Sequence, residues 1–181
     1  SANKIGSFSL ALAAKHAGKI DLCIDHHGSH QDFAENSYVD STAAAACEII
    51  YEVICRLGVV PDQVIAQAVY TGITTDTGCF RYSNTTARTH EIAAQVIRTG
   101  IDAGDINRRM FETKTRARLE MERSVLDSIA FYFDARCAVM CISRAMIEAS
   151  GADEGDLDGL SAIPRQIEGV LVGVTMRERK I

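Results

Sequence analysis

Ile20-Asp21-Leu22-Cys23-Ile24-Asp25-His26-His27 is the stretch on which the fold turns. Ile20 to Ile24 is short, apolar and bounded by polar residues, the pattern of a buried central strand in a parallel sheet. In open α/β sheets ligands bind outside the carboxyl ends of the strands, and Asp25-His26-His27 stands at that end. Neutral imidazole is a common ligand for first-row metals, and a neighbouring carboxylate can either ligate or fix the imidazole tautomer. Taken alone, such a triplet is equally compatible with a surface that has no role.

Working outward, Ser9 to Ala17 reads as a short helix that Gly18 ends. Asp40-Ser41 offers an N-cap for a helix running to Leu57, with Gly58 as its stop and Ile49, Ile50, Val53, Ile54 and Leu57 as its apolar face. Pro61-Asp62 opens the next helix. Its apolar positions are Val64, Ile65, Ala68, Val69, Gly72 and Ile73, and Asp76 lies at the end of that face. Thr74-Thr75-Asp76-Thr77-Gly78 surrounds this carboxylate with hydroxyls and a turn, which suits an oxygen ligand as well as an ordinary helix end. A third helix is expected from Thr86 to Arg98, ending at Gly100, and a shorter one from Asp102. Strand followed by helices points to the α/β class.

The pattern changes near Thr113. Residues 113–128 are rich in Arg and Glu and read as an exposed connecting helix with pairs such as Arg116–Glu120 and Arg118–Glu122. Phe131-Tyr132-Phe133, Ala138 to Ile142 and Val170 to Val174 then read as strands, with a small helix over Ser143 to Ala149 and an acidic, glycine-containing loop over Gly151 to Gly159. The expected organisation is therefore an α/β region over 1–112, a connecting helix over 113–128, and a smaller α+β region over 129–181. That last region is short for a self-sufficient core, so it is expected to continue past residue 181.

Composition narrows the function classes. The chain has 181 residues and a formal net charge of −5, which argues against a broad nucleic-acid surface and against long duplex DNA as a partner. A short nucleotide beside metal ions is compatible with it, because the ions supply positive charge. No apolar stretch approaches the roughly twenty residues of a membrane span, and no basic segment precedes an apolar one at the start. The six cysteines form no C-x-x-C pair and mostly sit in apolar runs, the usage of buried, reduced thiols. A cytoplasmic location is expected.

Asp25-His26-His27 and Gly72-Ile-Thr-Thr-Asp76-Thr-Gly-Cys-Phe80-Arg81-Tyr82, in this order, resemble the third and fourth motifs of the DHH phosphoesterase family. Phe33-Ala34-Glu35-Asn36-Ser37-Tyr38-Val39-Asp40-Ser41 is similar to the segment that follows the family's DHH. The version after Gly72 looks like that of nanoRNases and 3′-phosphoadenosine-5′-phosphate phosphatases. Gly159-Leu160 and Arg165-Gln166-Ile167-Glu168-Gly169-Val170 resemble the opening of the associated DHHA1 substrate domain. The resemblance implies residues 1–112 as the C-terminal part of a parallel-sheet DHH domain and 129–181 as the first part of a DHHA1 domain.

It also implies a two-metal hydrolase, usually with two Mn2+ ions, Mg2+ being the alternative. His26 and Asp76 would be metal ligands. His27 would face the scissile phosphate, and Asp25 would orient the histidine pair. The implied substrates are short RNA and 3′-phosphoadenosine-5′-phosphate, with no membrane partner and a homodimer left open. Within the family, a RecJ-like exonuclease, a cyclic-dinucleotide phosphodiesterase and a pyrophosphatase are the alternatives; outside it, a non-catalytic binding remnant. The sequence departs from the family in lacking the first motif, His-x-x-x-Asp-x-Asp, the aspartate of the second, and the late Gly-Gly-Gly-His segment. Little activity is therefore expected of this chain alone. His16 and His90 read as surface or structural, His30 as a loop neighbour of the triplet, and Arg81, Arg165 and Arg177 as ion-pairing residues.

Overall fold

A computed structural model describes residues 15–178, Ala17 and Gln31 excepted. Most of the helix expected over Ser9 to Ala17 lies outside the described residues, as does the end of the chain past Glu178. The chain packs as two compact units that divide between Glu112 and Thr113.

In the first unit, β1 (Leu22–Asp25) pairs in parallel with β2 (Asn36–Val39), in the register Leu22↔Asn36 to Asp25↔Val39. The parallel pairing matches the sequence reading, but the burial does not. Leu22 is 58% exposed, and only Asp25 of this strand is buried. A strand apolar on both faces stays partly bare when one strand is its sole hydrogen-bonded neighbour among the described residues. β2 carries no apolar alternation, and all its residues are exposed, so nothing in its pattern marks it as a strand.

The helices follow: α1 (Ala46–Arg56), α2 (Gln63–Asp76), α3 (Ala87–Ile97) and α4 (Ala103–Asn107), the last continuing as a π-helical turn over Arg108–Glu112. Three begin where the sequence places them. Asp62 accepts from the Ile65 N–H, Thr86 forms a reciprocal cap with Thr89, and Asp102 accepts from the Asp105 N–H. α1 differs. Asp40 folds its carboxylate onto Thr42, accepting from both the Thr42 N–H at 2.9 Å and the Thr42 hydroxyl at 2.6 Å. That Asx turn competes with the helical N-cap, and α1 starts only after Ala45. Its end is satisfied from within, because the Glu48 carboxylate reaches back to the Ala44 N–H.

The buried faces are also turned from those expected. The core of this unit gathers Ala45, Tyr51, Ala66, Val69, Tyr70, Ile73, Ile92, Ala93, Val96 and Ile101. Val53 of α1, Leu57 just past its end, and Val64 of α2 are exposed instead. Two tyrosines account for the rotation. Each buries its ring and pairs its hydroxyl, Tyr51 donating to Gln95 Oε1 at 2.6 Å and Tyr70 accepting from Asn107 at 3.2 Å. A hydroxyl with a partner makes tyrosine a better core residue than a purely apolar pattern credits.

The second unit holds α5 (Arg116–Asp127), β3 (Ala130–Tyr132), β4 (Cys137–Ile142), α6 (Arg144–Ser150), two 3-10 turns at Gly155–Leu157 and Leu160–Gln166, and β5 (Val172–Arg177). β4 runs antiparallel to β3 and parallel to β5. The Arg/Glu-rich segment is more than a connector: Met121 and Val125 of α5 are fully buried in the core with Met140, Ile142, Leu157 and Leu160. On its outer side Glu122 pairs with Arg118 at 2.9 Å and with Lys114 at 2.8 Å. Glu120 pairs with Arg123, three positions on, rather than with Arg116. Arg118 also donates to the carbonyls of Asp156 and Asp158, which pins the acidic loop to α5. No described helix is long and apolar enough to cross a membrane.

Partial burial pushes the Glu122 carboxyl up, but the Lys114 and Arg118 hydrogen bonds outweigh it and hold the group below its usual range. A depressed folded-state value stabilises the fold above the unfolded value of about 4.3, and that contribution is lost as pH falls through the folded value. Glu122→Gln is therefore expected to cost about 1 kcal/mol at neutral pH. In urea titrations the difference from the unsubstituted chain should close as the solution is made acid.

Candidate metal centre

Asp25 ends β1 and is buried, 8% exposed. Its Oδ1 accepts from the His26 N–H at 2.8 Å, the His27 N–H at 3.2 Å and His27 Nδ1 at 2.6 Å; its Oδ2 accepts from His30 Nδ1 at 2.7 Å. Burial pushes this carboxyl up, yet the His27 and His30 side chains, then the His27 and His26 backbone N–H groups, hold it well below the usual carboxylate range. The carboxylate is thus a buried anion surrounded by donors. The imidazoles it orients are those of His27 and His30, whereas the sequence reading paired His27 with His26.

His26 is turned the other way. Its Nδ1 lies 3.3 Å from the Ala43 carbonyl, and its Nε2 lies 3.4 Å from Asp76 Oδ2. The Ala43 carbonyl is available because α1 starts late; in a helix begun at Ser41 it would be taken by the fourth amide onward. The Asx turn of Asp40 therefore serves the site as well as the fold. With Nδ1–H given to Ala43, the neutral ring presents an Nε2 lone pair to the Asp76 carboxylate. Two acceptors facing each other at this separation suit a divalent cation between them, the imidazole and the carboxylate each offering one donor atom.

Asp76 reaches this position through two local devices. α2 crosses α1 at Gly72, where an added Cβ would meet Cys47 Sγ at 2.1 Å and Cys47 Cβ at 3.0 Å. Only glycine allows the helices so close. Beyond the crossing, Asn84 Nδ2 donates to the Asp76 carbonyl at 3.1 Å and to the Ala44 carbonyl at 2.9 Å, tying the end of α2 to the segment that holds His26. Sequence reasoning misses Asn84, whose only signal is an asparagine shortly after a helix end. The threonine hydroxyls flanking Asp76 do not hold its carboxylate as expected. Thr75 and Thr77 donate to the carbonyls of Thr71 and Ile73, and the Asp76 side chain stays 46% exposed.

The chain then turns through three successive left-handed residues, Gly78 (φ 55), Cys79 (φ 57) and Phe80 (φ 64). The turn is held by the Thr77 hydroxyl, which accepts from the Phe80 N–H at 3.0 Å, and by the Cys79 N–H donating to the Thr74 carbonyl at 2.7 Å. Tyr82 lies over Gly78 where a Cβ would be. Two non-glycine residues in this region store strain beside Asp76.

Ligand atoms of Asp25, His26 and His27 lie within 4.8 Å of one another. Asp25 is nonetheless the weaker ligand candidate, since four donors already occupy its oxygens. The better-placed pair is His26 with Asp76. His27 is half-exposed, its ring 4.5 Å from that of His26. Elsewhere, His90 stacks on Phe80 at 5.0 Å, His16 is exposed, Arg81 donates to the Gly78 carbonyl, and Arg177 pairs with Glu154.

No family model matches the chain. Curated proteins and solved structures do. The bifunctional oligoribonuclease and PAP phosphatase NrnA of Thermus thermophilus is 32% identical over 157 residues, 87% of this chain and 47% of that protein. Its namesake in Bacillus subtilis is 24% identical over 150 residues, 81% of this chain and 47% of that protein. The crystal structure of an exopolyphosphatase-related protein from Bacteroides fragilis superposes with a TM-score of 0.82 at 26% identity, covering 94% of this chain and 53% of that one. These likenesses support the resemblance to the DHH phosphoesterase family. Within it, the similarity is to the NrnA type, and the chain spans about half the length of the curated relatives it matches.

The crossing at Gly72 gives a direct test of how Asp76 is delivered. Gly72→Ala is expected to destabilise the chain by about 1–3 kcal/mol, despite the better helix propensity of alanine. Thermal unfolding should show the loss, and adding Cys47→Ala should restore part of it.

Proposed function

We propose that this chain carries part of the metal-binding and phosphate-facing machinery of a phosphoesterase that hydrolyses short oligoribonucleotides and 3′-phosphoadenosine-5′-phosphate. The observation that carries the reading is His26 Nε2 facing Asp76 Oδ2 at 3.4 Å, with the other His26 nitrogen already engaged by Ala43. The names of the Thermus and Bacillus relatives supply the substrate class. His26 and Asp76 would hold manganese, with magnesium the alternative. When bound, such ions supply charge to the phosphoryl oxygens and lower the pKa of a bound water.

The rest is done by the chain itself. Asp25 takes the His27 Nδ1–H, which leaves Nε2 as the atom offered to a substrate. From there His27 accepts or returns a proton at the phosphate, and the ionised Asp25 stabilises its imidazolium form. Residues 129–181 are read as the opening of a DHHA1 substrate domain, after the connecting helix over 113–128. The protein acts in the cytoplasm on this reading, on nucleotides rather than long duplexes.

The sequence matches only two of the family's metal-binding residues, so metal binding by this chain is a more direct readout than turnover. Manganese followed by electron paramagnetic resonance should show weak, saturable binding. His26→Ala and Asp76→Ala should each weaken it about tenfold or more, on the scale that metal-site substitutions reach. Unchanged binding in both variants would remove the basis for the proposal. With manganese present, the chain is expected to release phosphate from 3′-phosphoadenosine-5′-phosphate only slowly, and rapid release would contradict the assignment of its missing motifs.

A further inference from the structure

His30 stands outside the triplet, yet it is the most enclosed imidazole of the site. Its side chain is 6% exposed, against 15% for His26 and 45% for His27. The loop 26–30 folds back on itself through the His30 N–H donating to the His27 carbonyl at 3.0 Å. This return brings His30 Nδ1 to Asp25 Oδ2 at 2.7 Å, while the ring packs on Phe33 with centroids 5.6 Å apart.

The two oxygens of Asp25 are differently loaded. Oδ1 carries all three donors from His26 and His27; among the described residues, the hydrogen bond to Oδ2 comes from His30. A carboxylate held at one oxygen alone can rotate about its Cβ–Cγ bond and spread its acceptance over both. A second donor fixed at the other oxygen stops that rotation. Among the described residues, His30 Nε2 is buried without a hydrogen-bond partner, and the Asp32 carboxylate is 3.7 Å away. Burying an imidazole with one nitrogen lacking a hydrogen bond is unfavourable, and the Asp25 contact is the short side-chain hydrogen bond that this placement secures among the described residues.

From this geometry we infer that His30 is a positioning residue for His27. It locks the Asp25 carboxylate from the far side, so that His27 keeps its proton on Nδ1 and presents Nε2 outward. The inference deepens the proposed function by giving His27 a fixed tautomer, and it rests on that function only for what His27 then does with it. Its own content is a chain of two hydrogen bonds, His30 to Asp25 and Asp25 to His27.

Long-range proton–nitrogen correlation spectra of the chain, recorded in mildly alkaline, metal-free buffer, read the ring tautomers directly. In the unsubstituted chain both His27 and His30 should carry a proton on Nδ1. In His30→Phe, His27 should shift toward the Nε2–H form that free imidazole side chains favour. In His30→Asn, whose side-chain amide can donate from nearly the same place, the Nδ1–H form should return. A His30 protonated on Nε2 alone in the unsubstituted chain would overturn the inference even if His30→Phe fails to fold. So would an unchanged His27 in a folded His30→Phe. These spectra need neither metal nor turnover, so an absence of manganese binding would count against the proposed function and leave this result standing.

Discussion

A buried, ionised carboxylate with a donor at every side organises the functional end of the first unit. Asp25 receives two backbone N–H groups and two imidazoles. The backbone bonds curl the chain sharply after β1, so that His26 and His27 leave the strand end in different directions. The imidazole bonds fix how the rings of His27 and His30 lie. An isolated buried charge would be costly, and it is this set of donors that makes the ionised form the stable one. A neutral asparagine in its place could not accept four such bonds.

The second constraint is the distance between two helices. His26 is fixed by β1 and by the Ala43 carbonyl, whereas Asp76 sits at the far end of α2. Their approach depends on Gly72 lying against Cys47 and on Asn84 bridging the Asp76 and Ala44 carbonyls. The strained left-handed turn at Gly78 to Phe80 then carries the chain away from the carboxylate and leaves it open to solvent. Fold and site are coupled here: the short-range turn of Asp40 delays α1, and the delay frees the carbonyl that orients His26.

How much of this the sequence shows depends on the range of the interaction. The strand before the triplet (though not its burial), the caps of α2, α3 and α4, and the existence of the second unit's three strands are local signals that the sequence shows, the ends of β3 and β5 lying one to three residues from those expected. The start of α1 does not, because Asp40 serves an Asx turn as well as a helix cap and the pattern does not choose between them. The buried faces of α1 and α2 escape an apolar pattern because Tyr51 and Tyr70 count as core only once Gln95 and Asn107 are known to meet their hydroxyls. His26 and Asp76 could be paired through the family resemblance, but the roles of His30 and Asn84 depend on contacts made only after folding. Neither residue type nor spacing signals that Asp25 turns to His30.

The central claim is that His26 and Asp76, and not the adjacent Asp25, form the metal-binding edge of this chain. Crystals of the chain soaked in manganese, with anomalous diffraction collected at the manganese absorption edge, test it most directly. The account predicts an anomalous peak within bonding distance of both His26 Nε2 and an Asp76 carboxylate oxygen, with Asp25 still hydrogen-bonded to His27 and His30. A peak bonded to Asp25 with Asp76 turned away, or full manganese occupancy elsewhere and none at this pair, would contradict it.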